Sequence, residues 1–262
     1  MSSREEKLEA LGRLIDVLET LRVQCPWDAK QTNESLRHNT IEEVYELSEA
    51  LINDDHTEIE KELGDVLLHV LFYSKIGEEQ GQFDLASVCH READKLIFRH
   101  PHIYGETKVN DAHDVETNWE QIKLKEKGGN KTVLGGVPNG LPSIIKAYRV
   151  QEKAANVGFD WEQREDVWDK VYEELGELRS EIESDSDLTK KEGEMGDFLF
   201  SLINMGRLYG VDPDTALERT NQKFIRRFNY IEKRAKEQGK QLRDMTLGEM
   251  DRLWEEAKST EA

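Results

Sequence analysis

Residues 41–71 read IEEVYELSEALINDDHTEIEKELGDVLLHVL. Two stretches of helical periodicity flank the polar turn NDDH, and each carries acids along the edge of an apolar face. Glu42, Glu43 and Glu46 stand beside Val44 and Leu47, and Glu62 and Asp65 stand beside Leu63, Val66 and Leu67. On a helix advancing about 100° per residue, Glu42 and Glu46 lie about 40° apart, and Glu43 about 60° from Glu46. Glu62 and Asp65 are separated by about 60° on theirs. If the two helices pack antiparallel through their apolar stripes, these carboxylates converge on a partly buried edge. For one helix alone, a solvated acidic face would explain the pattern equally well.

The pattern occurs twice. EEVYEL at 42–47 aligns with EELGEL at 173–178, and EKELGDVLLHVL at 60–71 aligns with EGEMGDFLFSLI at 192–203. From the first Glu of one motif to the Glu of the next, the spacing is 20 residues in the first copy and 21 in the second. Asp84, Lys95, Ile97 and Arg99 recur at matching offsets as Asp212, Lys223, Ile225 and Arg227. Two such modules point to duplication. A merely solvated face gives no reason to keep both residue type and spacing while the surrounding sequence drifts.

Outward from the motifs, helical periodicity dominates and an all-α fold is expected. Leu8, Leu11, Ile15, Leu18 and Leu21 mark one amphipathic helix, which Pro26 interrupts. The next helix begins between Thr32 and Thr40; Thr40 with Glu43 fits a capping box, and an upstream start fits as well. DVLLHVLF is apolar almost all round, as in a helix buried on most sides. Gly81 ends that helix and Asp84 caps a fourth, running towards Arg99. The segment KGGNKTVLGGVPNGLP at 127–142 is rich in glycine and holds two prolines, so helix cannot persist through it. The expected organisation is therefore two tandem four-helix-bundle-like modules, 1–126 and 143–262, joined by a linker at 127–142.

Composition narrows the function. The chain has 262 residues, 55 acids against 36 bases and a net charge of -19, which disfavours sequence-independent nucleic-acid binding through phosphate neutralisation. The two cysteines, Cys25 and Cys89, supply neither a disulfide framework nor a zinc pattern, and a reducing cytoplasm is expected. MSSREEKLEALGRL lacks the apolar core of a signal peptide, and no run approaches the ~20 apolar residues of a membrane span.

Unpaired, a convergent carboxylate cluster is costly, because each charge loses water and repels the others. A hard divalent cation compensates. Magnesium takes oxygen ligands, keeps several waters and commonly meets substrate phosphates. A di-iron carboxylate bundle would need Glu-x-x-His pairs, which neither ELGD nor EMGD supplies. His69 lies one turn after Asp65, but Ser201 is its counterpart, so it reads as a packing histidine.

EExxE followed by ExxD resembles the signature of the all-α nucleoside triphosphate pyrophosphohydrolases. The tandem arrangement, with CPWD at 25–28, HPHIYG at 100–105 and NQKFIRRF at 221–228, resembles the MazG family within them. That resemblance implies Mg²⁺ held by the carboxylates and hydrolysis of an NTP or dNTP between its α and β phosphates, giving NMP and pyrophosphate. It also implies a dimer, and Mn²⁺ is expected to substitute for Mg²⁺. In the second module the metal falls to Glu174, Glu177, Glu194 and Asp197, with Glu173 a further catalytic candidate; in the first, to Glu43, Glu46, Glu62 and Asp65. No Ser, Cys or His nucleophile is required, since phosphoryl transfer depends on charge stabilisation.

The modules differ where phosphate would bind. Lys170, Lys190 and Asn221 of the second have Asn39, Glu58 and Ala93 as counterparts, while Lys223 and Arg227 are matched by Lys95 and Arg99. Without local cations an acidic pocket binds a polyphosphate badly, so the second module is the expected main catalyst. Trp254 corresponds to a nucleotide-contacting position in the family; Trp161 and Trp168 read as core residues, and RHPHIYGE as a connecting loop. Two alternatives stay open: a narrower enzyme of the same superfamily, dUTPase-like or acting on phosphoribosyl-ATP, and a non-enzymatic acidic helical regulatory protein.

Overall fold

Ser3 opens the first helix, α1 (Arg4–Gln24). Its hydroxyl accepts from the Glu6 N–H, and the Glu6 carboxylate accepts from the Ser3 N–H. The computed structural model describes residues 1–107, 122 and 132–260. After Pro26 the chain passes through a 3-10 turn, Asp28–Lys30, to Thr32, which caps α2 (Asn33–Asn53) by exchange with Ser35. The upstream start is thus the one used. Thr40 lies inside α2 and donates back to the Leu36 carbonyl at 3.0 Å.

Asp54 turns the chain with φ at 53°, a left-handed conformation that a short polar side chain tolerates. Asp55 then caps α3 (His56–Glu79) by accepting from the Thr57 and Glu58 N–H groups. Asp84 caps α4 (Leu85–Arg99) as the sequence predicts. RHPHIYGE is more ordered than a loop, because Pro101 starts a one-turn helix, α5 (Pro101–Tyr104), at the position where its missing N–H is not needed.

In the second module α6 (Ser143–Ala155) leads through a 3-10 turn, Arg164–Asp166, into α7 (Val167–Glu183). A short turn with Asp185 at φ 53°, the match of Asp54, joins α7 to α8 (Leu188–Leu208), which Asp187 caps. Then follow α9 (Pro213–Glu237) and α10 (Leu247–Thr260). The ten α-helices are the regular structure of the described residues, apart from short 3-10 turns, so the all-α expectation holds. No described helix is long and apolar enough to cross a membrane.

The chain divides into two compact units, Met1–Val109 and Asn110–Ala262. The division lies upstream of the segment at 127–142. Of that segment, 127–131 fall outside the described residues, while Val133–Gly136 form a 3-10 turn packed on α6. In the first unit α2 and α3 form the closest pair, and Leu18, Leu36, Leu71, Phe72 and Ile76 close the core. In the second, α7 pairs with α8, and Ile231, Ala235, Met245 and Leu253 form a core where α9 meets α10.

α3 is less buried than its all-round apolarity predicts. Leu71, Phe72 and Ile76 are buried, but Leu63, Leu67 and Val70 remain exposed.

One side chain ties the first unit together. Arg22, near the end of α1, donates from Nε and Nη2 to the two Glu79 carboxylate oxygens, each at 2.9 Å. Its Nη1 donates to the Asp28 and Gln31 carbonyls, joining the CPWD turn to the far end of α3. The fork geometry of a guanidinium suits this double task. The Arg22 pairing holds the Glu79 carboxyl below the usual carboxylate range. That stabilisation is present above the ordinary carboxylate pKa and is lost as pH falls through the depressed value. Arg22→Met should therefore lower the stability of this unit by about 2 kcal/mol at neutral pH. Denaturant melts followed by circular dichroism should show the gap between mutant and wild type narrowing on acidification to the part owed to the two carbonyl bonds; a constant difference would exclude the ion pair as a contributor.

Candidate active site

Because α2–α3 and α7–α8 are hairpins with short turns, each brings its EExxE segment alongside its ExxD segment. In the first unit Glu43 of α2 and Glu62 and Asp65 of α3 each offer an oxygen within 4.8 Å of the others. In the second, Glu174 of α7 groups in the same way with Glu194 and Asp197 of α8, and also with Glu173 and Glu177 on its own helix. Glu43, Glu62 and Asp65, and likewise Glu174, Glu194 and Asp197, thus converge across helices, whereas Glu177 groups only with Glu173 and Glu174 of its own helix. Glu46 lies outside the first cluster and lines a neighbouring cleft of about 300 Å³ with Glu49, Asn53, Asp55, Glu58, Lys61 and Glu62.

Each cluster has one carboxylate drawn inside. Glu62 is 2% exposed and Glu174 5%. A lysine meets one oxygen of each. Lys61 Nζ lies 2.6 Å from Glu62 Oε1, and Lys170 Nζ pairs with Glu174 Oε1 and lies 3.1 Å from Glu173. The second oxygens, Glu62 Oε2 and Glu174 Oε2, are buried with no hydrogen-bond partner among the described residues. Burial, followed by the charge of Asp65, raises the Glu43 pKa; burial, followed by Glu177 and Asp197, raises that of Glu194. Orphaned buried oxygens amid mutually repelling acids fit a hard divalent cation, whose oxygen ligands they match.

A cavity of about 620 Å³ opens beside the second cluster. Lys170, Glu174 and Asp197 stand in its wall, and its apolar part is formed by Val150, Phe159, Trp161 and Phe200 among others. Such a volume, mostly apolar with a few polar groups, is typical of a small-molecule site. Arg207 of α8 secures the loop that carries Phe159 and Trp161. Its Nη1 is 3.0 Å from Asp160 Oδ2, and its Nε donates to Asn204 Oδ1 at 3.1 Å.

At corresponding positions the first unit is filled. By the EKELGD/EGEMGD alignment, Ser201 and Asn204 of the cavity wall match His69 and Phe72. Phe72 belongs to the buried core. His69 Nδ1 lies 2.9 Å from Thr40 Oγ1, which also meets the Leu36 carbonyl at 3.0 Å and the Tyr73 hydroxyl at 2.5 Å. Burial depresses the His69 pKa and keeps the ring neutral. It is a packing histidine, as expected.

Lys190, Asn221, Lys223, Arg227 and Trp254 are not part of the cavity wall. Lys190 is exposed at the start of α8. The Asn221 amide donates to Glu218 at 3.3 Å. Trp254 packs on Phe224 with ring centroids 5.1 Å apart, and the Arg227 guanidinium lies 5.4 Å over its face. Trp161 is a half-exposed wall residue rather than core, and Trp168 sits at the surface with its indole N–H on Tyr209. Sequence reading missed Phe159, Phe200, Asn204 and Arg207. The Asp160–Arg207 pair joins positions 47 residues apart, and only the fold brings them together.

A helical hairpin bearing EExxE and ExxD, present twice in one chain, is the architecture of an all-α nucleotide pyrophosphohydrolase. The family model described as the MazG nucleotide pyrophosphohydrolase domain matches residues 31–104 and 163–231, covering both hairpins, and the chain belongs to the MazG family. It is 36% identical over 260 residues to the nucleoside triphosphate pyrophosphohydrolase of Escherichia coli K12, spanning 97% of this chain and 99% of that one. It is 40% identical over 248 residues to the nucleoside triphosphate pyrophosphohydrolase/pyrophosphatase MazG of Thermotoga maritima, spanning 94% of each. A third relative, the uncharacterized protein YabN of Bacillus subtilis, is 48% identical over 238 residues, which are 90% of this chain and 49% of that protein.

The raised pKa of Glu194 means that its contribution to stability is fully present below the ordinary carboxylate range and is lost as pH rises through the raised value. Glu194→Gln should accordingly raise the thermal midpoint in EDTA at neutral pH and lose that advantage in acid. A lower midpoint at neutral pH would show that the acids do not repel one another as the geometry implies.

Proposed function

We propose that this chain hydrolyses nucleoside and deoxynucleoside triphosphates between the α and β phosphates, releasing NMP and pyrophosphate. Magnesium, or manganese in its place, is the cofactor, and the second module is the main catalyst. The supporting observation is the cavity of about 620 Å³ beside Glu174 and Asp197, where the first module carries His69 and Phe72 instead of Ser201 and Asn204. Family membership supports the reaction class.

Glu174, Glu177, Glu194 and Asp197 would hold the metal. Bound there, a divalent ion neutralises polyphosphate charge and polarises a phosphoryl oxygen. Lys170 stands in the cavity wall and supplies positive charge to the incoming phosphates, with Lys190 at the start of α8. Glu173, exposed on α7 with Oε1 3.1 Å from Lys170, has its other oxygen to accept a proton from the attacking water. The apolar wall takes the nucleoside. A net charge of -19 favours a small substrate over nucleic acid, and a cytoplasmic nucleotide pool is the setting that such chemistry serves.

Ion-exchange chromatography of products from a panel of NTPs and dNTPs tests the reaction: NMP and pyrophosphate should appear together, and EDTA should abolish both. NDP as the first product would refute it. Glu177→Gln should lower turnover by orders of magnitude, because a lost metal ligand weakens both metal binding and water activation, while Glu46→Gln should leave most turnover intact. Asn204→Phe, installing the first module's residue, should raise KM sharply. Equal losses from Glu46→Gln and Glu177→Gln would mean that both modules work.

Association into a homodimer is part of the proposal. Leu63 and Met195, Leu67 and Leu199, and Ile97 and Ile225 are matched pairs, and all six are exposed within their own units. Repeated apolar faces of this kind mark an interaction surface. Light scattering should return twice the 30.3 kDa chain mass, and a monomer at micromolar concentration would exclude the dimer.

A further inference from the structure

The two clusters differ in which lysine serves them. In the second module, Lys170 reaches Glu174 from one helical turn away on the same helix, and it stands in the wall of the cavity. In the first, the cation is Lys61, adjacent to Glu62 in the chain; the matching position in the second module is Gly193, which has no side chain. Lys61 also reaches Glu58 at 3.4 Å, and Glu58 stands where the second module has Lys190. Relative to the second module, a positive charge has moved from the start of the helix onto the acid cluster itself.

An exposed ion pair contributes little, and the Lys61 stem is 59% exposed. Its carboxylate partner is different in kind, since Glu62 is 2% exposed and its other oxygen has no partner among the described residues although the residue lines the cleft. A carboxylate so placed requires a cation, and here one is tethered beside it. We infer that Lys61 is a built-in counter-cation that makes the first module's cluster of Glu43, Glu62 and Asp65 a weak divalent-metal site, whereas Lys170 yields its carboxylate when metal and triphosphate arrive. This rests on the reading that both clusters bind divalent metal. Lys170 has an alternative anionic partner in the substrate phosphates. Lys61 has only Glu58 beside Glu62, at 3.4 Å, and no substrate phosphate to draw it away, because Asn39, Glu58 and Ala93 replace the second module's Lys170, Lys190 and Asn221. The buried Glu62 thereby keeps a counter-charge without metal.

Mn²⁺ binding to the full-length chain, read from the electron paramagnetic resonance signal of the free ion, tests the inference independently of activity. Wild type should show tight binding at the second cluster and weak binding at the first. Lys61→Met, which keeps the aliphatic stem, should tighten the weak site on the order of ten-fold, the scale expected when one nearby unit charge is removed from a partly solvated divalent site. Lys61→Arg should retain the wild-type profile, and Lys61→Met combined with Glu62→Gln should lose the gained site. A wild-type profile for Lys61→Met would overturn the inference alone. A wild-type chain that binds no Mn²⁺ would overturn the metal reading beneath it as well. Circular dichroism should show Lys61→Met helical in saturating Mn²⁺; a variant that stays unfolded there would also contradict the inference, since metal should replace the lost ammonium.

Discussion

A carboxylate held away from water must meet a positive charge, and in this chain that requirement acts at two places, Glu62 and Glu174. Each is buried on a helical hairpin, each accepts a lysine at one oxygen, and each has a second oxygen with no partner among the described residues. The hairpins make this possible. Their short turns, with Asp54 and Asp185 in the left-handed region, force neighbouring helices to run antiparallel, so that acids far apart in the chain share an edge. Neutralising that edge is costly for the protein alone and easy for a divalent ion with oxygen ligands.

From this shared constraint the two modules have diverged in volume as well as in charge. Ser201 and Asn204 leave room beside the second cluster, and Arg207 anchors the loop that lines the space. His69 and Phe72 fill the equivalent place in the first, where His69 is tied to Thr40 and Phe72 to the core. The cleft of about 300 Å³ beside Glu62 is lined mainly by acids and offers no aromatic wall for a nucleoside. The first module keeps its acids but has Asn39 and Glu58 in place of Lys170 and Lys190, and Lys61 in place of Gly193.

Much of this was legible in the sequence, and the reasons differ by feature. Helical periodicity and the spacing of EExxE and ExxD identify the hairpins, because on a helix spacing alone decides which side chains share a face. Capping was ambiguous, since Thr32 and Thr40 both satisfy a local rule and only packing of Thr40 against His69 and Tyr73 excludes the second. The cavity could not be read in advance. It depends on α6, α7 and α8 meeting, and on a pairing of Asp160 with Arg207 that no local pattern announces. The difference between Lys61 and Gly193 was visible in the alignment, but its meaning required knowing that Glu62 is the buried acid of its cluster and Glu174 that of the other.

Hydrolysis at the second module requires metal and nucleoside to meet there. Anomalous diffraction from crystals grown with Mn²⁺ and an NTP analogue that resists cleavage between the α and β phosphates addresses this directly. The expected result is a manganese peak among Glu174, Glu194 and Asp197, with the nucleoside in the cavity between Phe159, Trp161 and Phe200. A nucleotide seated instead on the first module, or manganese bound away from both acid clusters, would contradict it.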